Sequence, residues 1–329
     1  MKNFARAASR ATFSSVLASI VLAVVALPAL AQSWPQRPVR FILSLGPGSG
    51  ADIGARLYAD RLTRLWGQPV VVENRPGGDG VIAINAVIQA KDDHALLWGP
   101  TANFVGHPYS LESIPYDPKE LVPVARVTGT VVTLGVPASM NVGSLKELLE
   151  TAKQKKGGLN WTTAVTMTDI ILEGFLKSQG IDAAHVRYKQ PAEAVNDLIN
   201  ERIQLYSSAY AIVRPQVQGG KVKLLAVQAR HRVPGLDLPT VSELGFPGLN
   251  FEGLVGIIAA RSSNLPNAAR DRIGADIKTL SKDPLIAERL VATAQLNTPG
   301  DAAEFAASID EQVKQLAESA KLLGLKPKQ

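Results

Sequence analysis

The sequence predicts an α/β protein built as two lobes joined by two chain crossings. Short runs of β-branched and apolar residues alternate with amphipathic helical stretches, the rhythm of strands and crossover helices. That rhythm restarts after residue 130 with strands and helices of its own. Two long apolar strand runs, Leu121 to Pro137 and Phe251 to Ala260, flank the restart. They read as strands that leave a first domain and return to it. The first domain is then discontinuous, 33–130 plus 253–329, with 131–252 inserted as the second. The crossings make a two-strand hinge, and a cleft between the lobes is the expected ligand site.

The chain opens on Met1-Lys2-Asn3-Phe4-Ala5-Arg6, with Arg10 close behind and no acid. An uncharged run from Ala11 to Leu30 follows and ends at Ala29-Leu30-Ala31. A basic start, an apolar middle and small residues at the exit read as a cleaved secretory signal over 1–31. The alternative is an amino-terminal membrane anchor. Against it, the most apolar part, Val16 to Leu27, is shorter than the roughly 20 residues a span needs. No cysteine follows, which excludes a lipoprotein. Losing Lys2, Arg6 and Arg10 lowers the formal charge from +6 to +3. The only basic cluster, Lys153-Gln154-Lys155-Lys156, is a short solvated helix end, so no nucleic-acid partner is expected. The chain has no cysteine, hence no disulfide or thiolate chemistry.

Val39 to Leu45 is the opening strand. Gly46-Pro47-Gly48-Ser49-Gly50-Ala51-Asp52 is a Gly-rich loop before a helix with Ile53, Leu57, Tyr58, Leu62 and Leu65 on one face. Such a loop can approach an anion closely, and the helix start presents unpaired N–H groups. Val70 to Glu73 is a buried strand, and Arg75-Pro76-Gly77-Gly78-Asp79-Gly80 is a second Gly-rich loop before a helix over 82–90. Ala95 to Gly99 is a strand that exits through Pro100-Thr101-Ala102-Asn103. Leu121 to Pro137 is the outgoing crossing. In the insert, Ser144-Leu145-Lys146-Glu147 is a capping box. A strand over 159–164 exits through Val165-Thr166-Met167-Thr168 into a helix over 169–179. Strands at 185–188, 203–207 and 223–227 alternate with helices at 192–199 and 212–217, and a short helix is expected near 241–244. After the return crossing come helices at 268–281, 284–294 and 302–323, the last with Thr298 as its cap and Phe305, Ile309, Val313, Leu316 and Leu323 as its apolar stripe.

The sharpest enzyme reading is a dinucleotide site. Gly46-x-Gly48-x-x-Ala51 lies between strand and helix, with Glu73 about 20 residues on as the ribose acid. Export from the cytoplasm, the amide missing at Pro47 and a parallel unit of only three strands count against it. A purely structural role for the glycines also stays open. There is no G-x-S-x-G elbow. His94, His107, His185 and His231 have no metal-ligand spacing and read as loop or surface residues, and Asp92-Asp93 as a solvated turn. No catalytic residue, metal or cofactor is expected. Three polar strand exits from two lobes instead suggest one binding cleft.

Several stretches, in order along nearly the whole mature chain, resemble one family. They are Trp34-Pro35-x-Arg37-Pro38-Val39-Arg40, Gly67-Gln68-Pro69-Val70-Val71-Val72-Glu73-Asn74-Arg75-Pro76-Gly77, Pro115-Tyr116-Asp117-Pro118, Tyr188-Lys189, Gly220-Lys221, Leu225-Ala226-Val227 and Leu238-Pro239-Thr240-Val241-x-Glu243-x-Gly245. The chain resembles the extracytoplasmic solute-binding proteins of tripartite tricarboxylate transporters, the Bug family. The resemblance implies a Venus-flytrap periplasmic-binding-protein fold, a periplasmic location, no catalysis, and capture of a small organic carboxylate by amides, hydroxyls and waters. It implies delivery, as a monomer, to a large and a small membrane subunit; some members of such families become sensors or adaptors for signalling systems instead. The positions matching the family's ligand contacts are Leu45, Gly46, Gly48, Ser49, Gly50, Thr101 and Asn103 in the first lobe, and Thr162, Thr163, Thr166 and Ser208 in the second. The chain departs from the family at Gly46, Ser49, Gly50 and Ala51, and its second-lobe loop is one residue shorter. Ser208 stands where many members have Asp. Losing that carboxylate favours an anionic or neutral ligand over an amino acid with an ammonium group, and Val165 and Met167 point to an aromatic or longer-chain carboxylate.

Overall fold

A computed structural model describes residues 34–154, 157–188 and 190–328. The expected export signal, and Lys155, Lys156 and Lys189, lie outside the described residues. The contacts divide the chain into a unit ending at Gln36 and a unit from Arg37 onward. Of the first, residues 34–36 are described, a bend with a cis Trp34–Pro35 peptide. All that follows concerns the second.

That unit holds two mixed sheets. The first is ordered β11-β4-β10-β3-β1-β2. It contains β1 (Val39–Leu43), β2 (Val70–Asn74), β3 (Ala95–Pro100), β4 (Leu121–Thr130), β10 (Gly253–Ala260) and β11 (Gln295–Gly300). Strand β1 pairs parallel with β2 and β3, whereas β10 lies antiparallel between β3 and β4. The second is ordered β7-β6-β8-β5-β9. It contains β5 (Val132–Pro137), β6 (Asn160–Thr163), β7 (Ala184–His185), β8 (Leu205–Ala209) and β9 (Val222–Val227). The predicted single strand over 121–137 is therefore two strands in two sheets, divided at Val131. The chain leaves the first sheet there and returns after residue 250.

The parallel strands carry the alternating helices that force their crossovers. Helix α1 (Gly50–Trp66) starts at the cap Ser49, whose Oγ accepts from Asp52 N–H, and ends at Gly67 in the left-handed region. Its buried face runs Ala51, Ala55, Tyr58, Leu62, Trp66, so the stripe is turned from the predicted one and Leu65 is exposed. Tyr58 meets Trp98, which also meets Phe41, at ring-centroid distances of 5.9 and 5.1 Å. Trp66 donates its indole N–H to Asp276 at 2.7 Å, a bond that this turn of the helix makes possible. Helix α2 (Val81–Ala90) follows β2, and α3 (Thr101–Ser110), not anticipated from the sequence, follows β3 directly.

In the second sheet's layer lie α4 (Leu145–Gln154), α5 (Thr166–Ser178), α6 (Pro191–Ile199) and α7 (Tyr210–Gln218). The sequence put the start of α5 at Asp169, with Thr166 and Thr168 in a loop. The structure puts them in the first turn, because the Val165 carbonyl accepts the N–H groups of Thr168 and Asp169. Residues 241–245 form turns rather than a helix, and the predicted strand at 185–188 shortens to two residues.

After β10 come α8 (Asn267–Leu280), α9 (Pro284–Ala292) and α10 (Ala302–Leu323). Strand β11 was missed. Thr298 belongs to it, and the cap of α10 is Asp301, in a capping box with Glu304. Helix α10 buries Phe305 and Leu316 but exposes Val313, because Gln312 turns inward instead. Phe305 lies on Gly256 of β10, where an added Cβ would sit 2.3 Å from the ring. Only glycine fits that strand position.

Candidate functional site

The first polar loop is built by one buried acid. Asp52, in the first turn of α1, accepts from Gly48 N–H at 3.0 Å, Asn74 Nδ2 at 2.8 Å and Arg56 Nε at 3.1 Å. Burial pushes its carboxyl up, but Arg56, the Gly48 amide and Asn74 outweigh it and hold it below the ordinary value. Asn74 also donates to the Leu45 carbonyl at 3.0 Å, so the loop is tied to β2. Gly48 N–H and Ser49 N–H, the latter bonded to the Gly46 carbonyl, thus hold the loop's own shape. The N–H groups of Gly50 and Ala51, first in the helix, have no intrahelical acceptor. Gly50 sits against Gln295 of β11, whose Nε2 donates to the Gly50 carbonyl at 2.8 Å.

The exit of β3 is held from a second loop. Gly77, Gly78, Asp79 and Gly80 all have positive φ, at 118°, 57°, 52° and 90°. This bend carries Asp79 to Asn103, whose Nδ2 donates to Asp79 Oδ1 at 2.8 Å. Ser44 Oγ lies 3.4 Å from Asn103 Oδ1 on the other side. Behind them His107 is fully buried, with Nε2 at 2.9 Å from the Asp79 carbonyl and Nδ1 at 2.6 Å from Tyr116 Oη. A carbonyl only accepts, so Nε2 carries the hydrogen and Nδ1 accepts from the tyrosine. Burial lowers the His107 pKa and raises that of Asp79. Thr101 lies apart from this group. Its Oγ1 is buried and donates to Gln312 Oε1 at 2.6 Å, leaving only its backbone N–H, at the start of α3, for an anion.

In the second sheet, Thr163 Oγ1 donates to Asp169, and His185 Nε2 lies 3.3 Å from the same carboxylate. His185 stacks on Trp161 with centroids 4.1 Å apart. Thr162 is buried within β6, and Met167 is wholly buried in the core, so it packs rather than faces a ligand. The side chain of Thr166 lies outside what the structure describes. Ser208, at the end of β8, is 1% exposed, and its hydroxyl has no partner among the described residues.

Helices α3 and α5 pack together at Gly106 and Met167, where a methyl on Gly106 would lie 3.9 Å from Met167 Cβ. Beside the crossings lies a cavity of about 510 Å3. It is lined by the crossings at 129–132 and 251–254, by 227–229 and 231–236 at and after the end of β9, by α7, and by α9 with β11. None of the eleven predicted residues lines it, but three adjoin its wall. Gly50 is bonded to its Gln295, Thr101 Oγ1 lies 3.4 Å from the carbonyl of its Leu254, and Ser208 stands two residues before its Tyr210. None of the lining residues is singled out for a site by the sequence, polar ones such as Tyr210, Arg214, Gln228 and Gln295 included. The spacing Tyr210, Arg214, Gln218 along α7 was the visible sign.

The other chemistries lose ground. Glu73, the would-be ribose acid, is held by Arg40 at 2.6 and 3.1 Å. His94 and His107 are buried rather than exposed. Asp92, Asp93 and His94 bring ligand atoms within 4.8 Å of one another, but the Arg37 guanidinium already spans both carboxylates, at 2.6 and 3.2 Å.

The family model described as the tripartite tricarboxylate transporter family receptor matches residues 54–325. The chain belongs to that receptor family. A UPF0065 protein of Bordetella bronchiseptica is 30% identical over 315 residues, 95% of this chain and 93% of its own length. The periplasmic binding protein BugD is 26% identical, with a TM-score of 0.70 over 90% of this chain and 100% of that one. A protein of R. palustris solved with adipate is 24% identical, with a TM-score of 0.76 over the same shares, 90% and 100%. The receptor family and its neighbours are binding proteins, not enzymes, and the shared fold is that of periplasmic binding proteins. No described helix of this receptor is long and apolar enough to cross a membrane.

Proposed function

We propose that this receptor captures a small organic carboxylate between two lobes, 33–130 plus 253–329 and 131–252, and presents it to the large and small membrane subunits of a tripartite transporter. It acts as a monomer, after cleavage of a signal over 1–31. The observation that carries the reading is the set of helix starts at α1, α3 and α5. Each comes next in the chain after a strand of one of the two sheets, and each offers N–H groups without an intrahelical acceptor. Amides suit a carboxylate, which accepts from several donors at once. The unpartnered Ser208 hydroxyl is a further donor. A ligand bonded from both lobes favours the closed arrangement and shifts the population to it. The apolar cavity beside the crossings accommodates the body of an aromatic or longer-chain acid.

Titration calorimetry against dicarboxylates, aromatic acids and amino acids tests the reading. Saturable heat with an organic acid is expected. Tight binding of aspartate or glutamate alone would overturn the aromatic or longer-chain acid, and a nicotinamide nucleotide found by native mass spectrometry on protein purified from its own host would overturn the whole reading.

A further inference from the structure

We propose that Arg214 reads the far end of the ligand, selecting a carboxylate that carries a second anionic group beyond an apolar spacer. The inference rests on the carboxylate reading above and adds the residue that discriminates within it. Tyr210, Arg214 and Gln218 all line the cavity, and they lie four residues apart along α7. That spacing places them on one helix face. Val213, about 100° around the helix from Arg214, is fully buried in the second sheet's core. Helix α7 therefore turns a polar stripe toward a cavity whose other walls are largely apolar, among them Val131, Val233, Phe251 and Leu290.

Within the stripe only Arg214 is charged. Arg232 also lines the cavity, but Glu243 holds its Nε at 2.9 Å and Asp237 lies 3.6 Å away. Arg214 forms no ion pair among the described residues, with the lining acid Glu252 or any other. Its hydrogen bond runs from Nη1 to the Ala292 carbonyl, at 3.0 Å. Ala292 ends α9, so the guanidinium reaches from the second sheet's layer to a helix terminus in the first. A helix C-terminal carbonyl is a weak stand-in for an anion. A carboxylate accepts more strongly and in two bonds at once, so it displaces the carbonyl. Arg214 lies one turn, about 6 Å, along α7 from Tyr210, beside Ser208. An acid anchored at the strand exits thus needs a spacer of several methylenes to reach it.

The test compares acids of equal length: adipate against hexanoate, and azelate against nonanoate, by calorimetry on the mature protein and on Arg214→Gln. The wild type should prefer the diacid by 10- to 100-fold, on the order of one charge-assisted bond. Arg214→Gln should abolish the preference while leaving the monoacid affinity within about threefold. A purely structural latch on Ala292 would weaken diacid and monoacid alike. Equal binding of both by the wild type, or a preference that survives in Arg214→Gln, overturns the role of Arg214 and leaves carboxylate capture standing. Failure of the wild type to bind any of the four overturns the role of Arg214, and silence towards the other acids of the titration above overturns carboxylate capture with it.

Discussion

Ser208 is the residue through which the proposed carboxylate is most simply tested. Its hydroxyl is buried without a partner among the described residues, and such a group costs about 1 kcal/mol or more. Ser208→Ala should therefore leave the melting temperature of the empty protein unchanged or raised, while weakening a bound carboxylate about tenfold. Calorimetry beside thermal denaturation separates the two effects. Asp52 should behave in the opposite way. It braces the Gly48 amide, Asn74 and Arg56 together, so Asp52→Ala should cost about 2–3 kcal/mol in urea unfolding and loosen the whole first loop. His107 gives a pH signature. Its folded pKa lies below the ordinary 6.5, so the stability it contributes is present above that value. It is lost as pH falls from there toward the folded pKa, because the unfolded chain takes the proton first. Asp79, with a raised pKa, acts with the opposite sign: its contribution is present at acid pH and is lost as pH rises through its folded value. His107→Gln should flatten the urea midpoint between about pH 7 and pH 5.

At the scale of elements, Gly256 is the tightest packing constraint. Gly256→Ala places a methyl inside the Phe305 ring and should cost about 3 kcal/mol, read as a lower urea midpoint. The elements legible in the sequence were those with local causes. The loop before α1 is legible through its glycines and Ser49, and the rhythm of the second sheet and its helices through Ser144 and the apolar runs. What stayed hidden depended on partners far along the chain. Strand β11 contains Asn297, Thr298 and Pro299, poor strand formers, and is a strand because β4 pairs with it. Thr101 has the right type and place for a site hydroxyl, yet Gln312, 211 residues away, takes it. Gly48 looked like a ligand amide until Asp52 was seen to hold it. The cavity was hidden for the same reason, since its lining comes from separate stretches between residues 129 and 298.

At the scale of the whole molecule, closure is measurable apart from ligand chemistry. Small-angle scattering should show a smaller radius of gyration when a bound acid is present. Ligand at about a hundredfold over its Kd should add roughly 2.7 kcal/mol to unfolding, seen as a higher melting temperature. The order of strands in the first sheet has a different consequence, one for biogenesis. Strand β10 lies between β3 and β4, yet it follows the entire second sheet in the chain. Until residues 253–260 emerge, β3 and β4 each present a bare edge and share no hydrogen bonds, and β11 arrives later still. Bare edges recruit other strands, and pairings this distant in sequence form slowly. If the proposed amino-terminal signal leads this chain across a membrane, the first sheet stays unfinished until β10 has followed, because the gap between β3 and β4 is filled last but one.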